Sequence, residues 1–293
     1  MFSADQIADI QGFNKVYQNL LKQIDSAILE TGYTLTEKDV LLEISKTERC
    51  TANILIHQLN IDRSYIDSPF PRENRKILIS REVSSRYNRR GLGEYRKIAQ
   101  YIDQIVHKKA GNYMIFFPSY QMMEAVYETY REILPEDDDV CYRVQSSGMN
   151  EAEREEFLDG FRRRDAATVG FCIMGGIFSE GIDLIGESLI GAVIVGTGIP
   201  GIGTEREILM KYYDKHDGNG FNYAYRYPGM NKVLQAAGRV IRTDRDKGVI
   251  VLLDDRFLTM EYRRMFPREW ADYQICTLEN TRSQLDDFWE GDS

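Results

Sequence analysis

The chain has 293 residues, 43% of them hydrophobic and 28% charged, with a formal net charge of −9. That length suits one large or two small domains and buries a core without staples. No apolar run approaches the ~18 residues of a membrane span, the first residues lack a signal-peptide core, and the four cysteines (Cys50, Cys141, Cys172, Cys276) are scattered with no CxxC pair, which argues against a cysteine-built zinc or iron–sulfur site and fits a reducing cytoplasm.

From residue 1 to about residue 44, apolar residues recur at helical spacing (Ile7, Ile10, Phe13, Val16, Leu20, Ile24, Ile28), which predicts one or two amphipathic helices. Gly32 is placed to stop them and Thr36 to cap the next. The Pro-rich "DSPFPREN" (67–74) marks the expected boundary between a helical segment, 1–66, and a larger domain, 67–293. Beyond it the chain alternates. "KILIS", "NYMIFF", "VCYRV", "TVGFCIM", "GAVIVGT" and "GVIVLL" are short apolar strands. Helical patterns run over Gly93–Lys109, Tyr120–Leu134, Asn150 to about Arg164, Glu205–Asp214 and Asn231–Ile241, with Glu153 placed to complete a capping box with Asn150. Strands apolar throughout and separated by helices predict a parallel sheet covered on both faces, hence an α/β, doubly wound fold whose ligands sit at the carboxyl ends of the strands.

Three stretches carry candidate chemistry. "MGGIFSEGIDLIGESLIG" (174–191) is a Gly-rich loop after a strand, suited to close approach of backbone amides to a ligand. In "VLQAAGRVIRTDRDKGVIVLLDDRF" (233–257), Gln235, Arg239 and Arg242 follow one another at helical turns, and paired guanidinium groups suit phosphate. The competing assignment for the arginines is a surface pair bonded to Asp244, Asp246 or Asp254. The acidic net charge speaks against a globally basic nucleic-acid binder and leaves local patches, "SSRYNRR" (84–90) and "FRRRD" (161–165). In the first of these Tyr87 is suited to stacking on a base and Arg86, Arg89 and Arg90 to contacting phosphates; a solvated basic loop is the alternative. "DKHDGNG" (214–220) lacks the acidic residue a calcium loop needs and is expected to be a turn. His57, His107 and His216 are not clustered, so no metal site is expected.

The 233–257 stretch resembles motif VI of the DinG/XPD family of superfamily 2 DNA helicases. "GIFSEGIDLIGESLIGAVIVGTGIP" resembles its motif V, "GNYMIFFPSYQMMEAVYE" its motif IV region, and "DSPFPRENRKILI" the segment entering its second motor domain. The segments follow in the family's order from about Asp67 onward. Residues 1–66 more loosely resemble part of the family's helical arch. The resemblance implies two RecA-like motor domains that clamp ATP between them and move along single-stranded DNA. It places Gln235, Arg239 and Arg242 against the ATP phosphates as arginine fingers and their partner, with Gly238 allowing close packing. Glu180, Gly181 and Asp183 fall in the motif V loop at the nucleotide. Ser119, Tyr120 and Ser179, with Tyr87, Arg89 and Arg90, fall along the DNA. The chain departs from the family in having no GxxxxGK[ST] sequence and no DEAH or DEAD tetrad. Those residues hold phosphates and Mg²⁺ in the first motor domain. The expectation is therefore the C-terminal motor part of a cytoplasmic helicase, inactive alone, whose ATP and Mg²⁺ enter with the first motor domain. A catalytically inactive nucleic-acid-binding module is the alternative, and a nucleotide-binding domain unrelated to DNA a third possibility.

Overall fold

A computed structural model describes residues 72–134, 139–162, 167–178, 189–216, 218–240 and 246–290. The helices expected over 1–66, with Gly32 and Thr36, lie outside the described residues.

Among the described residues seven strands form one sheet: β1 (Arg75–Ser80), β2 (Asn112–Phe117), β3 (Val140–Val144), β4 (Ala167–Ile173), β5 (Leu189–Val195), β6 (Gly248–Leu253) and β7 (Gln274–Cys276). Their order is β3-β4-β2-β5-β6-β1-β7, and every pairing is parallel. Parallel neighbours need crossover connections, and helices supply them. The described crossover helices are α1 (Leu92–Val106), α2 (Tyr120–Ile133), α3 (Glu151–Arg162), α4 (Thr204–His216), α5 (Tyr227–Ala237) and the short α6 (Met260–Arg263); α7 (Thr281–Glu290) follows the last strand.

The period-2 alternation of the strands sorts the core into two layers. Ile77, Ile79, Met114, Phe116, Ile194, Ile250 and Leu252 face α3 and α5, packing on Phe157, Phe161, Met230 and Val233. Leu78, Ile115, Phe117, Val193, Val195, Val251 and Leu253 face α1, α2 and α7, packing on Ile98, Ile102, Met122, Val126 and Leu285. The expected doubly wound α/β architecture is therefore the observed one.

The structure differs from the sequence reading at the periphery. β3 is half-buried along its whole length because it is an edge strand. The other edge, β7, is three residues long with Gln274 and Ile275 exposed, so it carries no apolar run to detect. α5 begins at Tyr227, earlier than expected, with Pro228 in the first turn, where a missing N–H costs nothing. A single π turn, Asn222–Arg226, precedes it. The capping box is present: Asn150 N donates to Glu153 Oε2 at 2.8 Å and Glu153 N to Asn150 Oδ1 at 3.0 Å. The stretch expected as a turn, 214–220, is helical through His216, the end of α4; Gly218 then sits at φ +74°, and Gly220 N donates to Asp214 Oδ1 at 2.9 Å.

Candidate functional site

Because all strands run one way, their carboxyl ends share one edge, which the loops after β1, β2, β4 and β5 leave; the end of α5 lies instead by the start of β6, where a Cβ on Gly248 would meet Val240. After β1, Ser84 and Ser85 are buried. Ser85 donates to Asp254 Oδ2 through its backbone N at 2.9 Å and its hydroxyl at 2.7 Å. Arg256 holds the same carboxylate from the other side, Nε to Oδ1 at 2.7 Å and Nη2 to Oδ2 at 2.8 Å, and its Nη2 reaches Ser85 Oγ at 2.6 Å. Burial alone would raise the Asp254 carboxyl, which is 0% exposed; the Arg256 hydrogen bonds and charge, with those of Ser85, outweigh it and hold the group below the usual carboxylate range. Asp255 N bonds Val83 O at 2.7 Å, so the exits of β6 and β1 are joined along their backbones as well.

From this anchor the tip projects as a 3-10 turn, Tyr87–Arg89, with no buried residue. Tyr87 is 87% exposed. Arg90 lies 5.8 Å from its ring and donates to Ser85 O at 3.1 Å. Arg89 meets the buried Glu94 at 3.4 Å, and Arg86 meets Asp255 at 3.5 Å. The loop's base is buried, and its exposed arginines are paired from below.

After β2, the Ser119 hydroxyl caps α2 by accepting from Met122 N at 3.3 Å. The Tyr120 hydroxyl accepts from Gln145 Nε2 at 2.9 Å, and Gln145 Oε1 accepts from Ile173 N at 2.9 Å. Gln145 is buried and ties the ends of β2, β3 and β4 together.

After β4 begins the Gly-rich loop. Gly175 sits at φ +68°, and a Cβ there would meet the side chain of Lys232 on α5, so this loop and α5 are neighbours. Ser179, Glu180, Gly181 and Asp183 lie outside the described residues, as does Arg242. After β5, Gly198 at φ +66° faces Gly229: a Cβ would stand 2.5 Å from Gly229 O. Only glycine permits both that backbone angle and that approach, which seats the first turn of α5 against the end of β5. Thr197 between these contacts is buried, and its hydroxyl has no hydrogen-bond partner among the described residues.

α5 turns Met230, Val233, Ala236 and Ala237 into the core and leaves Gln235 exposed. Arg239 does not lie within the helix, contrary to the spacing argument. The helix ends at Ala237, and Arg239 N and Val240 N bond Ala236 O and Ala237 O, each at 3.3 Å, in a tightened i→i−3 pattern. Gly238 is exposed and Arg239 half-buried. The Asp254 carboxylate, one suggested partner for the arginines, is occupied by Ser85 and Arg256. Gln235 and Arg239 offer a carboxamide and a guanidinium, donors that fit polyphosphate oxygens. Among the described residues no group of three His, Cys, Asp or Glu side chains is placed to hold a metal ion.

The sequence reading named Asp254 only as a possible partner of Arg239 and Arg242; it did not find its pairing with Ser85 and Arg256, nor Glu94 or Gln145.

An open parallel sheet wound on both faces, with the motif-bearing loops after β1, β2, β4 and β5 at its carboxyl edge, has the architecture of a RecA-like α/β domain. Within that class, the chain belongs to the helicase C-terminal domain family, whose pattern matches residues 102–273, more than half of its length. It is 25% identical over 246 residues to a "probable ATP-dependent helicase" of Methanocaldococcus jannaschii, covering 78% of this chain and 37% of that protein. It is 27% identical over 199 residues to the "3'-5' exonuclease DinG" of Staphylococcus saprophyticus, covering 68% of this chain and 21% of that protein. A solved XPD helicase shares the fold with a TM-score of 0.57 at 24% identity, over 69% of this chain and 35% of that one. The domain is of the DinG/XPD type of superfamily 2, and the chain spans 37% or less of these two curated relatives.

Proposed function

We propose that this chain supplies the second motor domain of a cytoplasmic ATP-dependent DNA helicase. Gln235, Arg239 and Arg242 face the phosphates of ATP, Gly238 allows close packing there, and Glu180, Gly181 and Asp183 line the nucleotide side of the motif V loop. Mg²⁺ is held by the first motor domain, which this domain meets across the nucleotide. When bound, ATP supplies the phosphoryl group; this chain's part is to donate hydrogen bonds and positive charge to it. Ser119, Tyr120, Ser179, Tyr87, Arg89 and Arg90 form this domain's half of a single-strand track, with the tyrosine stacking and the arginines on phosphates.

The observation that carries this reading is the family match across 102–273, which includes the loops after β2, β4 and β5 and the α5 segment with Gln235 outward. A second reading, an inactive nucleic-acid-binding module, is equally consistent with the absence of a GxxxxGK[ST] sequence in the 293 residues. No described helix is long and apolar enough to cross a membrane.

The purified chain is expected to hydrolyse no ATP above background, with or without single-stranded DNA. Adding a motor domain that carries a P-loop and a DEAH box is expected to give turnover that depends on both parts. Hydrolysis that follows this chain alone through purification overturns the division of labour; no turnover in the completed pair favours the inactive module.

A further inference from the structure

We propose that Asp254 and Arg256 are positioning residues for single-strand engagement: with Ser85 they form a buried clasp that holds the Tyr87–Arg90 tip in place above the carboxyl edge. The inference rests on the assignment of that tip to the nucleic-acid track.

No residue of the tip is buried, so apolar packing does not fix it. What fixes it is polar. Asp254 receives five hydrogen bonds, two from Ser85 and three from Arg256. The Arg256 fork spans both the carboxylate and the Ser85 hydroxyl, a geometry an ammonium does not reproduce. Ser85 O then anchors Arg90, so the clasp is one bond from a tip arginine. A buried ion pair is commonly no better for stability than apolar residues of the same volume. Here its strength lies in direction: it sets where the backbone of Ser85 leaves the sheet, and thereby where Tyr87, Arg89 and Arg90 stand. Neither Asp254, 0% exposed, nor Ser85, 4% exposed, is open to a ligand, so both act through the tip.

The test uses the full chain and a fluorescein-labelled oligothymidylate, with affinity followed against salt and amide exchange followed along the backbone. Arg89→Ala/Arg90→Ala is expected to weaken binding and flatten the salt slope while Ser84 and Ser85 amides stay protected. Asp254→Asn is expected to weaken binding about tenfold, the scale of one lost charge-assisted hydrogen bond, and to flatten the slope similarly. It does so with fast exchange confined to the loop after β1 and unchanged protection in β2 and β5. Arg256→Lys is expected to follow it, and Ser85→Ala, which leaves the Asp254–Arg256 pair, to show a smaller change of the same kind. If Asp254→Asn does not fold, Ser85→Ala decides. Wild-type affinity and slope in the clasp variants, beside a weakened Arg89→Ala/Arg90→Ala, overturn the clasp and leave the track standing. If the double arginine variant also binds like wild type, the tip is off the track and the proposal falls with it.

Discussion

Arg239 stands just past the point where α5 tightens from i→i−4 to i→i−3 bonding. Its neighbours Ala236, Ala237 and Val240 do the packing. Arg239→Ala is therefore expected to change stability by only about 0.5 kcal/mol, as at other positions outside the core. In the completed two-domain enzyme the same change is expected to lower single-turnover hydrolysis by about 10²–10³. Arg239→Lys is expected to recover little, because it lacks the planar fork. Melting curves beside single-turnover rates check this, and a variant that unfolds yet keeps its rate per folded molecule makes Arg239 structural. At this scale the sequence was legible where the chemistry is local. Asn150 and Glu153 lie three residues apart and pair as their spacing dictates. The bond between Asp254 and Ser85 was illegible because the two lie 169 positions apart, and no local pattern encodes that distance.

The elements themselves were legible where burial is continuous. β2, β4, β5 and β6 are apolar runs because both faces are covered. β7 and α7 were missed because an edge strand and a helix with Thr281 and Leu285 buried present too sparse a pattern. The end of α5 was misplaced because helical spacing persists through Gly238–Val240 while the hydrogen bonding changes. The tie between the exits of β1 and β6 carries a pH dependence of its own. The Asp254 carboxyl is depressed in the fold, so its contribution is present above the ordinary carboxylate value of about 3.9 and is lost as pH falls through the folded value. Urea midpoints followed from about pH 5 to about pH 2 are expected to fall more steeply for wild type than for Asp254→Asn. Equal acid limbs would mean that the carboxylate is not ionised in the clasp.

For the whole molecule, a formal charge of −9 means that attraction to a nucleic acid is local. With Arg86, Arg89 and Arg90 as the main cations of the tip, the slope of log affinity against log salt is expected to be shallow. At about 0.7 per phosphate neutralised on a single strand, it comes to about −2. A fluorescence titration across salt concentrations measures it. A slope several times steeper requires a larger basic surface than this edge provides. The sheet order has a consequence of a different kind. β1, the earliest of the described strands, pairs only with β6 and β7, the two latest. As the chain leaves the ribosome, the apolar run "KILIS" therefore waits without partners while β2, β3, β4 and β5 can already assemble among themselves. The β6-β1-β7 side of the sheet closes last, by placing an early segment between two late ones. Such long-range closure is slow and leaves strand edges open meanwhile, so in this fold the vulnerable interval for self-association lasts until β6 and β7 have been made.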